Sequence, residues 1–372
     1  MKRWQQIGIG VAIMAASSTG RVTAAWYETT KVSGDLRYRV EHVDEEGKDE
    51  RYHHRIRLRV GLTAQPDDEF TVGLRLTTSE HAQGEGDPIS GNLTLKNFGT
   101  KKPIFLDLAY IEWQPMELPG LVVMGGKTRN PFYTVGDYLW DHDYTPEGLA
   151  ANWTLGKEWQ LGASAAYHWI QERKADDDSM MYGGQLRFSG PLISKTRWVI
   201  GGSVFSFTEM EGRTVLDWQG TGKSYGNSTR SVVSGETTNK VYATGFHTVE
   251  GFAALQFDLA LPIELYGGWA VNTDADQDDM GYIAGVSVGR LSKPGSVQVG
   301  YNYRRLEKDV FPGAFTDSDS FGGGTDAQGH RFSIAVQLTK AAQASVTYFL
   351  DEKHLDDPYD YRRLQIDLMA KF

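Results

Sequence analysis

The stretch Arg55-Ile56-Arg57-Leu58-Arg59-Val60-Gly61-Leu62 places an apolar residue at every second position, mostly between arginines. Successive side chains of a β-strand point to opposite faces, so this pattern predicts a strand with one apolar face and one polar face. Residues 70–77 and the C-terminal residues 363–372 repeat the alternation. Such runs reach about 9 to 11 residues, the length that a tilted strand needs to cross a bilayer.

About sixteen alternating runs follow one another along the chain. They start near residues 32, 53, 69, 103, 121, 147, 159, 180, 195, 250, 263, 281, 296, 330, 343 and 361. Short connectors alternate with long ones, and the long ones span 44–52, 79–102, 128–146, 171–179, 208–249, 273–280, 308–329 and 351–360. This alternation and an even strand number are typical of bacterial outer-membrane barrels.

The sequence therefore predicts an all-β fold over residues 26–372. Hydrocarbon offers backbone groups no hydrogen-bond partner, so strands can cross it only as a closed sheet. We expect a closed antiparallel transmembrane β-barrel of about 16 strands, with short periplasmic turns and long extracellular loops.

Composition excludes several classes of protein. Only 40% of the residues are hydrophobic, which argues against a helical membrane protein, and the 42 glycines are too many for a helical fold. A net charge of -10 argues against a nucleic-acid partner. The absence of cysteine excludes disulfides, thiolate catalysis and cysteine-based zinc sites.

The N-terminus predicts export. Lys2 and Arg3 precede an apolar stretch over 7–16, and Val22-Thr23-Ala24 offers a small-residue cleavage site. We interpret residues 1–25 as a secretory signal peptide that is cleaved, and we expect the mature chain in the bacterial outer membrane. A membrane anchor is the alternative, but the apolar stretch is too short to span a bilayer.

Arginines occupy the polar positions of three consecutive predicted strands. Near the bilayer midplane each would cost about 2 to 4 kcal/mol if it faced lipid, so we expect these side chains inside the barrel. Unpaired arginines require water, and a water-filled lumen is a channel. The predicted pore-lining arginines of these strands are Arg37, Arg39, Arg55, Arg57, Arg59 and Arg75.

The connector 128–146 combines acids with large apolar residues. Asp137, Asp141 and Asp143 share it with Phe132, Tyr133, Tyr138, Leu139 and Trp140. An exposed loop rarely carries so many large apolar groups, so we expect this one to fold into the barrel, with its acids facing the arginines. Opposed charges would narrow the pore and favour small polar solutes. The alternative is an external loop that covers the barrel mouth.

No catalytic motif is present, and we predict no enzyme activity, catalytic residue, metal site or cofactor. The sequence lacks H-E-x-x-H, G-x-S-x-G and the phosphate-binding G-x-x-x-x-G-K-[ST]. Asp274, Asp276 and Asp278 begin like a calcium loop, but Asp279 stands where that loop requires glycine. Two alternatives stay open: a barrel enzyme of the lipase or protease type, and a nonconducting structural or adhesin barrel.

Several short motifs carry a resemblance to a known family. They are Gly126-Lys127-Thr128-Arg129-Asn130-Pro131-Phe132, then Trp140-Asp141-His142-Asp143, then Pro146-Glu147-Gly148, and the terminal Phe372. With these, essentially the whole mature chain resembles the "Putative porin" family of Gram-negative outer membranes, which is of the sixteen-strand type.

The resemblance implies a pore for passive diffusion of small hydrophilic solutes or ions, with a homotrimer as an open option. Lys127 and Arg129 of the first motif would set selectivity together with the arginines. Phe372 resembles the C-terminal signal read by the barrel-assembly machinery. The other expected partners are outer-membrane lipids and lipopolysaccharide.

Overall fold

The structure is a computed structural model that describes residues 29–174, 176–234 and 237–372. The predicted signal peptide over 1–25 lies outside the described residues. Among the described residues, no helix has the length and apolar character needed to cross a membrane.

Sixteen antiparallel strands form one closed barrel, as predicted. The strands are β1 (Lys31–Glu45), β2 (Arg51–Ala64), β3 (Phe70–Thr78), β4 (Ile104–Trp113), β5 (Leu121–Lys127), β6 (Glu147–Leu155), β7 (Gln160–Gln171), β8 (Ser179–Ile193), β9 (Thr196–Phe207), β10 (Phe246–Phe257), β11 (Ile263–Asn272), β12 (Met280–Gly289), β13 (Val297–Leu306), β14 (Ala327–Gln337), β15 (Ala342–Lys353) and β16 (Tyr359–Lys371).

Each barrel strand pairs with the strands before and after it in the chain. β1 pairs with β16 as well as with β2, in a register that runs from Asp35 opposite Lys371 to Glu45 opposite Tyr361. This last pairing closes the sheet, so neither terminal strand presents an open edge. The alternation in sequence placed every strand start within four residues of its observed position; β10, expected near 250 and starting at Phe246, differs most.

The two faces of the strands separate apolar from charged side chains. Odd-numbered positions of β1 and β2 point into the barrel, and even-numbered positions point outward. Leu36 and Leu62 are accordingly 47% and 39% exposed, whereas Arg39 and Arg57 are each 3% exposed. The outer surface therefore offers lipid an apolar band, and the arginines of β1 and β2 lie on the inner face, away from lipid.

Two connectors fold into the barrel and fill one side of it. The first inserted segment is 128–146, and the second is 307–326, which contains the short 3-10 turns Gly313–Phe315 and Ser320–Gly322. Their buried apolar side chains form one cluster with lumen-facing residues of β8–β13, which we call the packed side of the lumen. The cluster includes Phe132, Tyr138, Trp140, Phe205, Phe207, Phe246, Phe252, Ile283, Phe311, Phe315 and Phe321.

Close approach of the first inserted segment requires a small residue in the wall. A Cβ built on Gly183 of β8 would lie 2.3 Å from Cζ of Phe132. Any larger residue at this position would push the segment off the wall. A third connector, which holds the hairpin of Thr229–Ser234 and Thr237–Tyr242, covers the same cluster from outside with buried Met210 and Tyr242.

Candidate pore constriction

The first inserted segment crosses the lumen and returns. The backbone N–H of Tyr133 donates to Oε1 of Gln185 on β8 at 2.9 Å, and the Tyr138 hydroxyl donates to Oε1 of Glu250 on β10 at 2.9 Å. At its base the Thr128 N–H donates to the Pro146 carbonyl at 2.8 Å. These bonds hold the aromatic part of the segment against the far wall and leave its acidic end free to meet β1 and β2.

The acidic end completes a ring of four charged groups. Asp143 accepts from Nη1 of Arg57 at 3.0 Å and from Nη1 of Arg59 at 2.9 Å. Asp35 of β1 bridges the same two arginines, with 3.0 Å to Nη2 of Arg57 and 2.8 Å to Nε of Arg59. Each carboxylate thus binds two guanidinium groups, and the two negative charges compensate the two positive charges.

The second inserted segment makes a similar contact with β1 and β16. Asp319 lies between Arg39 and Arg363, at 3.0 Å and 3.3 Å from their Nη1 atoms. Asp367 completes the contact at 2.7 Å from Nε of Arg39. Sequence reasoning placed this segment among the external loops and missed its role. The signal was present, because 307–326 combines acids with large aromatics as 128–146 does.

The expectation of unpaired arginines is wrong. Arg55 meets Glu41 at 3.4 Å, Arg75 pairs with Asp107 of β4, and Arg37 donates to Oδ1 of Asn92 at 2.6 Å. With the pairs of Arg39, Arg57 and Arg59, every arginine of the predicted row has a polar partner. An uncompensated buried charge is costly, so the lumen supplies acids from the same strands and from the inserted segments.

Water-accessible space remains on the other side of the lumen, along β1–β7 and β16, which we call the charged side. An outer cavity of about 850 Å³ opens toward the external loops, and an inner cavity of about 200 Å³ opens toward the periplasmic strand ends at Ser33, Thr63 and Lys371. Both cavities are lined by Arg59 and Arg75. We call these two arginines and their partners Asp143 and Asp107 the candidate constriction, because the two cavities share the arginines.

The other predicted site residues lie around this constriction. Arg129 is exposed and lines the inner cavity. Lys127 lines the outer cavity, where its Nζ lies 3.1 Å from Glu147. Asp137 meets Arg331 of β14 at 3.4 Å. Arg331 was also missed, together with Arg304, which pairs with Asp317 at 2.8 Å.

Two acids of the first inserted segment have opposite electrostatic environments. Burial raises the pKa of Asp141 well above its usual range; this carboxyl accepts the Ser318 N–H at 2.8 Å and joins the two inserted segments. Burial also opposes ionisation of Asp143, but the nearby cations His142, Arg57 and Arg59 outweigh it and hold the pKa of Asp143 below its usual range. Asp143 is therefore the carboxylate of this segment that the arginines of the charged side hold in its ionised form.

His142 completes the acidic end. Its side chain is 59% exposed to the lumen and lies 3.4 Å from Asp143 and 3.7 Å from Asp137. Desolvation between the inserted segments opposes protonation of this ring, but the neighbouring carboxylates outweigh it and raise the pKa of His142. Among the described residues, no group of three or more His, Asp or Glu side chains is arranged to hold a metal ion.

The C-terminus closes the barrel at its periplasmic rim. The Phe372 N–H donates to the Gly34 carbonyl at 3.0 Å, and the Gly34 N–H donates to the Phe372 carbonyl at 2.9 Å. The terminal residue is therefore part of the β1–β16 seam.

Comparison with known proteins places this geometry among porins. The profile of the family described as "Putative porin" matches residues 43–234 and 238–372. Salmonella typhi OmpF in complex with daunomycin is 12% identical, with a TM-score of 0.54 over 93% of this chain and 99% of that chain. The trimer form of OmpT, an outer membrane protein of Vibrio cholerae, is 12% identical, with a TM-score of 0.51 over 92% and 99% of the two chains.

At these identities the two solved structures show the fold alone. No curated protein matches the chain at a significant level. The family profile, which covers most of the described barrel, is the finding that bears on function.

Proposed function

The chain belongs to the "Putative porin" family and is a porin channel of the bacterial outer membrane; we propose that its solutes pass along the charged side of the lumen, through the constriction at Arg59 and Arg75. Small hydrophilic solutes or ions would move passively, down their gradients. The packed side would carry no flow, because aromatic side chains from both inserted segments occupy it.

The observation that carries this path is the pair of arginines that the two cavities share. One cavity opens outward and the other toward the periplasm, and Arg59 and Arg75 line both. A solute that enters either cavity thus reaches the same pair of guanidinium groups. Asp107 and Asp143 hold these groups in place by charge-assisted hydrogen bonds.

The predicted pore-lining residues divide into two groups under this proposal. Arg59, Arg75, Lys127 and Arg129 line the cavities and would contact solutes, with Asp143 at the narrow point. The remainder would act by positioning, through ion pairs and hydrogen bonds that fix the wall and the inserted segments. This second group is Arg37, Arg39, Arg55, Arg57, Asp137 and Asp141.

Opposed charges at the constriction favour small polar solutes over apolar ones, because the field between them stabilises dipoles and hydrated ions. The segment 128–146 is in this proposal the constriction loop of the pore. We propose no catalytic activity and no cofactor.

Three further features belong to the proposal. Residues 1–25 would be removed on export. Phe372 would serve as the assembly signal, which its place in the β1–β16 seam supports. A homotrimer is supported by the trimer form of the Vibrio cholerae protein with a similar fold. Cross-linking of the folded protein in detergent tests the trimer.

Conductance of the purified, folded protein in a planar bilayer tests the proposed function. We expect stepwise current increments of uniform size as single channels insert. A folded barrel that inserts without such steps would contradict a channel and favour a structural or adhesin barrel. Release of fatty acid or peptide by the same preparation would favour a barrel enzyme.

A further inference from the structure

The outer cavity is rich in carboxylates without a cationic partner. Glu85, Asp87, Glu172 and Asp217 line it, and none of them forms a salt bridge within the described part of the chain. Apart from the two shared arginines, its lining contains one cation, Lys127, which Glu147 neutralises at 3.1 Å. The outer mouth therefore has a net negative charge.

Two further cations lie near this mouth but not in its lining: Arg55, which acts on Asp87 but already pairs with Glu41 at 3.4 Å, and Lys223. Lys223 influences both Asp87 and Asp217 electrostatically, while its Nζ lies 4.4 Å from the ring centre of Tyr225. One lysine and one arginine that is already paired cannot compensate four carboxylates, so the sign of the outer mouth is unchanged.

The inner cavity has the opposite sign. Arg129 and Lys371 line it, and neither forms a salt bridge among the residues that the structure describes. Asp35, the one acid in its lining, is held between Arg57 and Arg59. The two exposed cations thus set the charge of the inner mouth.

The constriction between the two mouths contains compensated charges. Arg59 pairs with Asp143 at 2.9 Å, and Arg75 pairs with Asp107. Along the proposed path the fixed charge is therefore negative outside, nearly balanced at the constriction, and positive inside.

We propose that this order of charges makes the pore conduct ions unequally in the two directions, with larger current when the extracellular side is positive. The inference rests on the proposed path through the constriction. Fixed charge in a narrow passage enriches ions of opposite sign, so cations accumulate in the outer mouth and anions in the inner mouth.

The direction follows from these enriched ions. A positive extracellular side drives cations inward from the outer mouth and anions outward from the inner mouth, so both meet at the constriction and conduction rises. The reverse polarity draws both away from the constriction and depletes it. Salt screens the fixed charges over about 10 Å at 0.1 M and about 3 Å at 1 M. We therefore expect unequal currents at low salt and nearly equal currents at high salt.

Single-channel current–voltage curves in KCl test the proposal. We expect roughly a twofold ratio of currents at opposite voltages of equal size in about 0.1 M salt, and a ratio near one in about 1 M salt. The native chain contains no cysteine. A Gln171→Cys channel, modified by a thiol reagent from one side only, therefore reports the orientation of each inserted channel.

Neutral variants locate the source of the asymmetry. The double variant Arg129→Gln with Lys371→Gln removes the inner cations but leaves the negative outer mouth, so we expect its current ratio at low salt to fall clearly toward one. Lys293→Gln is the matched control, because Lys293 lies in the exposed turn between β12 and β13 and lines neither cavity. It should keep the wild-type ratio.

Different results would contradict the unequal conduction and the proposed porin function. Stepwise channels with symmetric currents at low salt would overturn the asymmetry and leave the porin intact. An asymmetry that the double variant leaves undiminished, or that favours the opposite polarity, would also overturn it. The absence of channels altogether would overturn the proposed function.

Discussion

The packed side and the charged side of the lumen belong to one barrel but differ in what fills them. On the packed side the ring of Trp140 lies 4.8 Å from that of Phe311 and 5.4 Å from that of Phe205. On the charged side Asp143, three residues further along, lies between Arg57 and Arg59. A single inserted segment thus builds a hydrophobic core on one side and an ion-pair network on the other.

The difference shows how the two kinds of residue divide their tasks. Close-packed aromatics exclude water and fix the segment in place. Paired charges beside a cavity leave polar surface that water and solutes can share. The barrel supplies the wall, and the inserted segments decide which part of the enclosed space stays open.

Removal of Trp140 should have the largest effect on stability and on channel current, because it disrupts the packed side. Trp140→Ala leaves a cavity in the packed side, where the side chain is 2% exposed, and we expect a loss of about 3 to 5 kcal/mol in unfolding free energy. The loosened segment should also give larger and noisier single-channel currents. Denaturant unfolding in detergent and bilayer recordings measure the two effects.

Trp113→Ala is the control for this prediction, because Trp113 lies on the outer surface and is 39% exposed. It should leave single-channel current unchanged. A Trp140→Ala channel with wild-type stability and wild-type current would show that the aromatic cluster does not hold the segment.

Loss of Asp143, the carboxylate that Arg57 and Arg59 share, should have the next largest effect. Asp143→Asn leaves Arg57 and Arg59 with one acid, and breaking a buried ion pair by removing one partner costs about 3 to 5 kcal/mol. The uncovered positive charge should shift permeation toward anions. The reversal potential across a KCl gradient measures the shift, with exposed Asp177→Asn as the control; a shift toward cations would contradict it.

Substitution of Arg57 should mainly affect stability, and substitution of Arg59 should mainly affect ion selectivity. Arg59 lines both cavities, whereas Arg57 is 3% exposed and lines neither. We expect Arg59→Gln to move the cation-to-anion permeability ratio by roughly twofold toward cations, and Arg57→Gln to change stability with a smaller effect on that ratio. Equal shifts in both variants would place the solute path elsewhere.

Acidification should have the smallest effect. Burial raises the pKa of Asp87, at the outer mouth, to about 6, and Arg55, Lys223 and Glu80 modify this value electrostatically. Between pH 7 and pH 5 this carboxyl should gain a proton and the outer mouth should lose one negative charge. We expect a modest fall in the cation preference of the wild-type channel, measured by the reversal potential. The Asp87→Asn channel lacks the titrating carboxyl and should lack this contribution to the fall.

The same shift has a consequence for stability. The folded state binds the Asp87 proton more tightly than the unfolded chain, whose pKa for this group is about 3.9. The stabilising contribution is therefore complete below that value and is lost as the pH rises through about 6. A free energy of unfolding that rises with pH through this window, relative to Asp87→Asn, would contradict the assignment.

Alternation in sequence was sufficient for the barrel because lipid on one face and a polar lumen on the other impose period two on every strand. It also put Asp35 and Glu41 on the same face as Arg37 and Arg39, so part of the pairing could have been predicted. The partner Asp319 could not, since it lies 280 residues from Arg39 and reaches it only through an inserted segment.

The inserted segments show where sequence reasoning ended. Large aromatics in the connector 128–146 indicated a packed loop. The same composition in 307–326 indicates a second packed loop, which the predictions from sequence did not include. Which wall each segment meets depends on fit against residues such as Gly183, and periodicity contains no such information. The two cavities follow from that fit, and so does the difference between Arg59 and Arg57.

Thiol modification of single channels tests most directly whether solutes pass along the charged side. Arg75→Cys places a reactive group at the constriction, and Ser333→Cys places one on a lumen-facing position of β14 that lines neither cavity. We expect a methanethiosulfonate reagent to lower the current of the Arg75→Cys channel in a single step and to leave the Ser333→Cys channel unchanged. A step in the Ser333→Cys channel and none in the Arg75→Cys channel would contradict the proposed path.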